Sequence, residues 1–367
     1  MRIPILLQIL LALLVASAQT RSTAIRRDGS YLERYIPFVK QEPTTNYLDE
    51  FVVHVLLNGH SREMTLDTGS TGILASPQTA GFKDVAEVES RCHNALDCTP
   101  AYEYLISSGK YFKGYHILSD LVFTSSTGQT LISKIPVIVT TETGDCTGLN
   151  QGCVAEKEVP STISYLGIGF GRLSDQQPNG TVEYNAFLNV DLGQDLHQGY
   201  ILSSSGVTLG VQPSDYAEFS YANLPFSPYA NFSSGHRREW GQIPMSVEVN
   251  GKGPFKGSGL LDAGINYTFL TVPDSATSGF SHGTEPILLD DDVEITVRLG
   301  AEDELTSYSY EVGNFDKIPQ LTPQEVRLLN YSSGESWFIN TGRNFYNGFD
   351  VLFDQDCGIV GIRKAPE

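Results

Sequence analysis

Two short segments carry residues whose types and spacing suit chemistry. In Met64-Thr65-Leu66-Asp67-Thr68-Gly69-Ser70 an apolar run ends in Asp-Thr-Gly. In Gly259-Leu260-Leu261-Asp262-Ala263-Gly264 the apolar-apolar-Asp-x-Gly pattern returns in the second half of the chain. A strand fixes the position of the carboxylate, and the glycine permits a tight turn with close backbone approach. One strand-ending Asp in a turn is common; two in a repeated setting point to a pair. Two carboxylates held close cannot both ionise cheaply, so one pKa falls, the other rises and the pair shares a proton. A base and an acid then stand side by side. One deprotonates a water while the other polarises an amide carbonyl. The chemistry this suits is peptide hydrolysis, without a covalent intermediate, a metal or a cofactor.

The elements that must position these residues read as strands. Short apolar runs at 51–57, 118–123, 131–140 and 293–299 lie between turn residues, and residues 292–300 alternate apolar with polar. Helical patterning is confined to 185–192 and 323–329. With 35 Gly, 18 Tyr, 18 Phe and only 18% charged residues, the composition suits a mainly β protein rich in turns. A second echo accompanies the first: Tyr165-Leu166-Gly167-Ile168-Gly169 is matched downstream by Trp337-Phe338-Ile339-Asn340-Thr341-Gly342. A chain of 367 residues accommodates two such halves facing each other across a cleft.

The N-terminus reads as a secretory signal over 1–18: Arg2, an apolar run from Ile5 to Val15, then Ala16-Ser17-Ala18 as a small-residue cleavage site. The run is short for a membrane span, and the polar C-terminus argues against a lipid-anchor tail. Residues 19–45 form a short prosegment or N-terminal tail. The pair Arg26-Arg27 is open to two readings, a processing site or a solvated tail. Cleavage after Arg27 removes four arginines and no acidic residue, taking the formal charge from −19 to −23. So acidic a surface argues against nucleic-acid binding. Its self-repulsion is least in mildly acidic surroundings. After a signal peptide, the close cysteine spacings predict disulfides Cys92–Cys98 and Cys146–Cys153, leaving Cys357 over. No His lies at zinc-ligand spacing from either pair, and Asp290-Asp291-Asp292 lacks the spacing of a calcium loop, so no metal site is expected. Sequons at Asn179, Asn231 and Asn330 are candidate glycan sites; a fourth at Asn266 is expected to be too buried.

With these residues in view, the chain resembles the pepsin family of aspartic peptidases. Asp67-Thr68-Gly69-Ser70-Thr71-Gly72-Ile73-Leu74 is similar to that family's first active-site motif. Leu166 to Phe170 resembles the segment threading beneath the first Asp loop. Tyr200 to Leu202, Val207 to Gly210 and Val351 to Ile362 resemble strands near the interlobe region and the C-terminus. The resemblance covers about residues 46 to 365. It implies a bilobal acid-protease fold of two six-stranded-type β-barrel lobes about a central cleft, with an N-terminal lobe at 46–210 and a C-terminal lobe at 211–367. It implies Asp67 and Asp262 as catalytic residues, with Thr68, Gly69, Ser70 and Gly264 in support. It also implies a flap hairpin within 101–123 whose Tyr is Tyr104, with Tyr102 and Tyr111 in competition. The implied protein is a monomeric, secreted or vacuolar-lumen endopeptidase, binding an extended peptide or protein substrate and working at acid pH.

The sequence departs from that pattern in places. Leu74 stands where the family usually has a Trp supporting the flap Tyr. Ala263 removes one half of the cross-lobe hydrogen-bond pair that Thr68 serves, and Ile265 cannot donate to Asp262. Asn340 interrupts the second threading segment. These changes predict a weakened or specialised enzyme. The alternatives are a non-proteolytic binding or inhibitor protein of the same fold, or an enzyme repurposed for a small molecule.

Overall fold

The computed structural model describes residues 23–25, 31–39, 47, 49–105, 108–147, 151–172, 177–193, 196–229, 239–284, 286–300, 304–329 and 336–366. The expected signal segment, Arg26-Arg27, Asn231 and Asn330 lie outside them.

Three large sheets organise the chain. The first lobe is an eight-stranded sheet in which Val52–Leu57 pairs antiparallel with His60–Asp67. Alternation seats Val53, Val55 and Leu57 in the core and leaves His54 and Leu56 outside. The intervening Asn58-Gly59 has positive φ at both residues, 51° and 82°, as a two-residue hairpin requires. The strand Ser164–Ile168 runs parallel to His60–Asp67 and antiparallel to Thr71–Ala75. It therefore threads beneath the Asp67 turn and ties both of its arms.

The second lobe is a nine-stranded sheet that repeats this device. Trp337–Asn340 runs parallel to Lys252–Leu260 and antiparallel to Thr268–Thr271, on either side of the Asp262 turn. Between the lobes lies a six-stranded sheet ordered Ser220–Asn223, Ile359–Lys364, Phe349–Asp354, His197–Ser203, Gly206–Val211 and Tyr35–Pro37. The expected lobe division at 210/211 falls inside Gly206–Val211. The edge strand Tyr35–Pro37 comes from the segment assigned above to a prosegment or tail. Arg34 beside it is fully buried, donating to the carbonyls of Leu209 (3.1 Å) and Gly210 (2.8 Å).

The expected strands are present: 118–123 and 131–140 lie within Lys110–Thr124 and Thr130–Asp145, and 51–57 and 293–299 match Val52–Leu57 and Glu294–Leu299 to one residue. The two expected helices are not. Residues 185–192 hold only the 3₁₀ turn Phe187–Asn189, preceded by another at Val182–Tyr184. Asn185 is the reason: its side chain accepts from the N–H groups of Phe187 and Leu188 and donates to the carbonyls of Ile168 and Gly169. Within 323–329, Val326–Leu328 is a strand, drawn into parallel pairing with Thr268–Thr271. The longest helix among the described residues, Val85–Cys92, is capped by Asp84, whose carboxylate accepts from the Glu87 N–H at 2.9 Å. Both expected disulfides are formed, and Cys357 is a free, exposed thiol. No helix among the described residues is long and apolar enough to cross a membrane.

Candidate active site

Asp67 is the last residue of His60–Asp67, Asp262 lies two residues beyond Lys252–Leu260, and each is gripped by its own turn. Asp67 Oδ1 accepts from the Gly69 N–H at 2.6 Å, and Oδ2 from the Ser70 hydroxyl at 2.5 Å. Asp262 Oδ1 accepts from the Gly264 N–H at 2.8 Å, and Oδ2 from the Asn340 side-chain amide at 2.6 Å. The two turns face each other. A Cβ added at Gly69 would collide with the Asp262 carboxylate, and one added at Gly264 would collide with Asp67. Glycine is required at both positions because each backbone lies against the opposite lobe's carboxylate.

Cross-lobe hydrogen bonds lock this approach. The Thr68 hydroxyl donates to the Leu261 carbonyl and accepts from the Ala263 N–H, both at 2.7 Å. Ala263 cannot return the arrangement. The Tyr346 hydroxyl enters instead, donating to the Leu261 carbonyl at 3.0 Å and lying 3.3 Å from the Thr68 hydroxyl. Tyr346 is fully buried, with Phe51 and Phe345 edge-on to its ring.

The environments of the two carboxylates differ. Asp67 is partly exposed, whereas Asp262 is only 3% exposed. Burial, and secondarily the charge of Asp67, push the Asp262 carboxyl up to about 7. The Asn340 amide, the Gly264 N–H and the positive charge of Arg172 act against that rise. A second buried cation, Arg343, donates to the Gly264 carbonyl at 2.9 Å, and burial lowers its pKa. The arrangement sets a buried carboxyl, whose charged form burial disfavours, beside one that faces solvent.

Other expected features are placed as follows. The strands Cys98–Leu105 and Lys110–Thr124 form a hairpin over the segment in which a flap was expected, and Cys92–Cys98 ties its first strand to the helix before it. Tyr104 lies on it but is buried against Tyr111 and Cys146, the packing of a strand aromatic. Leu74 packs with Ala101, Phe112, Ile138 and Ile163 under the same hairpin. Asn179 is corrected as a glycan site. It is 3% exposed, and its amide donates to the Tyr102 carbonyl (2.9 Å) and the Glu103 carboxylate (2.5 Å), leaving no room for a sugar. Asn266 is less buried than expected, and its amide donates to Gln324 at 2.7 Å. Among the described residues, His197, Asp354 and Cys357 are grouped as metal ligands would be. The Asp354 carboxylate is already engaged by His197 Nδ1 (2.7 Å), the Tyr216 hydroxyl and the Cys357 N–H (3.0 Å), so the group reads as a pinned turn of the interlobe sheet.

Sequence reasoning missed Tyr346, Arg172 and Arg343, and took Asn340 only as an interruption of the threading segment. Asn340 carried a signal: a polar residue appears in the threading segment of the same lobe that loses its hydroxyl at Ile265.

No protein-family model matches this chain, and no curated protein sequence is significantly similar to it. Among solved structures, the aspartic proteinase from Irpex lacteus superposes with a TM-score of 0.53, over 90% of this chain and 97% of that one, at 14% identity. The fold is that of a pepsin-like aspartic proteinase. Identity this low establishes the pepsin-like architecture and leaves the chemistry to be argued from the residues themselves.

Proposed function

We propose that this pepsin-like chain is an aspartic-type endopeptidase that cleaves extended peptides at acid pH. The observation that carries the reading is the mutual approach of the two turns, each glycine seated against the other lobe's aspartate. In the proposed reaction Asp262 holds the shared proton, because it is the more buried carboxyl, and Asp67 is ionised. Asp67 takes a proton from a water as its oxygen bonds to the peptide carbonyl carbon, while Asp262 gives its proton to the carbonyl oxygen. The resulting gem-diol collapses as the C–N bond breaks: a proton passes from Asp67 to the leaving nitrogen while one hydroxyl returns its proton to Asp262, leaving a carboxylic acid, an amine and the dyad as it began. Secretion is part of the proposal, supported by the signal-like N-terminus and the two disulfides.

The test is cleavage of an unfolded protein across acid pH by the wild type, Asp67→Asn and Asp262→Asn. Each substitution is expected to cost about a thousandfold or more in kcat. Activity that survives both removes the dyad from the mechanism. A folded wild type that neither cleaves peptides nor binds pepstatin points instead to a binding protein built on the same fold.

A further inference from the structure

We infer that Asn340 is a positioning residue that stands in for the hydroxyl missing at Ile265, holding Oδ2 of Asp262 as a hydrogen-bond acceptor and confining the shared proton to the Oδ1 side of the pair. The inference rests on the dyad reading above and assigns a role that the sequence pattern does not.

Register supplies the first argument. Asn340 pairs with Leu260, two residues before Asp262, and with Phe269, seven residues after it. In the first lobe the same place, between Thr65 and Leu74, is held by Tyr165. Asn340 therefore comes from the threading strand, whereas the donor to Asp67 comes from Ser70 in the turn itself. Ser70 follows Gly69 as Ile265 follows Gly264, so a hydroxyl at 265 would occupy the vacated role.

Chemistry supplies the second. The Asn340 amide is 3% exposed and its orientation is determined at both ends. Its Oδ1 accepts from the Gly342 N–H at 3.0 Å, so Nδ2 is the atom that meets Asp262. Flipping the amide would set oxygen against oxygen and donor against donor. A hydroxyl such as that of Ser70 can donate or accept, and so tolerates a proton on the carboxyl oxygen beside it. An amide NH₂ only donates. Oδ2 of Asp262 must stay a lone-pair acceptor, which leaves Oδ1 for the proton. A side chain added at Gly264 would meet Oδ1 of both aspartates, so these two oxygens share one side of the site. The groups that face Asp262 electrostatically are Asp67, Arg172, Arg343, Tyr267 and Tyr346. Among the described residues, Asn340 is the neighbour that bonds Oδ2 directly.

The test follows the Asp262 carboxyl carbon by NMR against pH, alongside the pH profile of kcat. In Asn340→Leu the midpoint of Asp262 is expected to rise by about one unit, the loss of one hydrogen bond to the charged form. The alkaline limb of the profile, where Asp262 loses its proton, should move up with it, with kcat down about tenfold and KM little changed. Ile265→Thr in the Asn340→Leu background should restore both. An unmoved midpoint, or no rescue, overturns the inference. In the unaltered protein the Asn340 side-chain amide protons should shift with the same midpoint as Asp262; independence of the two overturns it equally, even if Asn340→Leu does not fold. These titrations need no turnover. A wild type that shows the coupled titration but cleaves nothing refutes the peptidase reading and leaves the assignment of Asn340 standing.

Discussion

Thr68 and Tyr346 show how a single missing hydroxyl is made good. Thr68 alone keeps both a donor and an acceptor bond across the lobes, and Tyr346 adds a second donor to the Leu261 carbonyl. Thr68→Val is expected to cost about 2–3 kcal/mol of stability, because it leaves the buried Ala263 N–H without its partner. Tyr346→Phe should cost about 1 kcal/mol, since the Leu261 carbonyl keeps Thr68. Denaturant unfolding checks both, and equal costs would contradict this division of roles. The cross-lobe bond of Thr68 was legible from the motif; the part played by Tyr346 was not. Ala263 reads as a loss, and its remedy comes from a tyrosine far along the chain, in a segment with no motif. The Asp turns themselves were legible, because their grip is local: a carboxylate and the N–H two residues on.

At the scale of elements, the N-terminal strand is the part that sequence reading undervalued. Tyr35–Pro37 is short, and its partner Gly206–Val211 is remote, so no local pattern announces it. Yet Ile36 is 2% exposed, and Arg34 satisfies two carbonyls of the partner strand while lying 3.9 Å from Asp215. Arg34→Met is expected to destabilise by about 3 kcal/mol, the cost of leaving buried groups unpaired. A chain beginning at residue 46 should show a lower thermal midpoint than one beginning at 28. Equal midpoints would show the strand to be dispensable. The threading strands were legible, since a repeated motif marks both. The helices expected at 185–192 and 323–329 were misread, because Asn185 side-chain bonds and a parallel partner outweigh local periodicity.

For the whole molecule, three of the carboxyls that burial raises bear most on pH; Asp350 is raised as well but is paired with Arg363. Burial raises Asp262, Glu103 and Glu239 each to about 7, with the Asp67 charge adding to the first. The folded state holds protons there that the unfolded chain, with carboxyls near 4, has released. Their contribution to stability is therefore complete below about pH 4 and is lost as pH rises through about 7. Asp97 and Glu311, lowered by Arg91 and Lys317, act in the opposite sense but sit in solvent, where screening leaves them little weight. The formal charge of −19 adds self-repulsion on the neutral side. The melting temperature should fall steadily from mildly acid to neutral pH, and Glu103→Gln together with Glu239→Gln should flatten the slope. A midpoint that climbs towards neutrality would contradict the assignment.

The interlobe sheet also bears on how the protein is made. Its strands come from residues 35–37, 197–211, 220–223 and 349–364, so the earliest and the latest parts of the chain share one set of hydrogen bonds. During synthesis the first of these strands waits unpaired while the whole first lobe is translated, and the sheet stays unfinished until residue 364 has left the ribosome. Pairing at such sequence distance makes for slow folding and a long exposure of strand edges. A nascent chain stalled before residue 349 would thus carry both aspartates and still lack the sheet that joins their lobes.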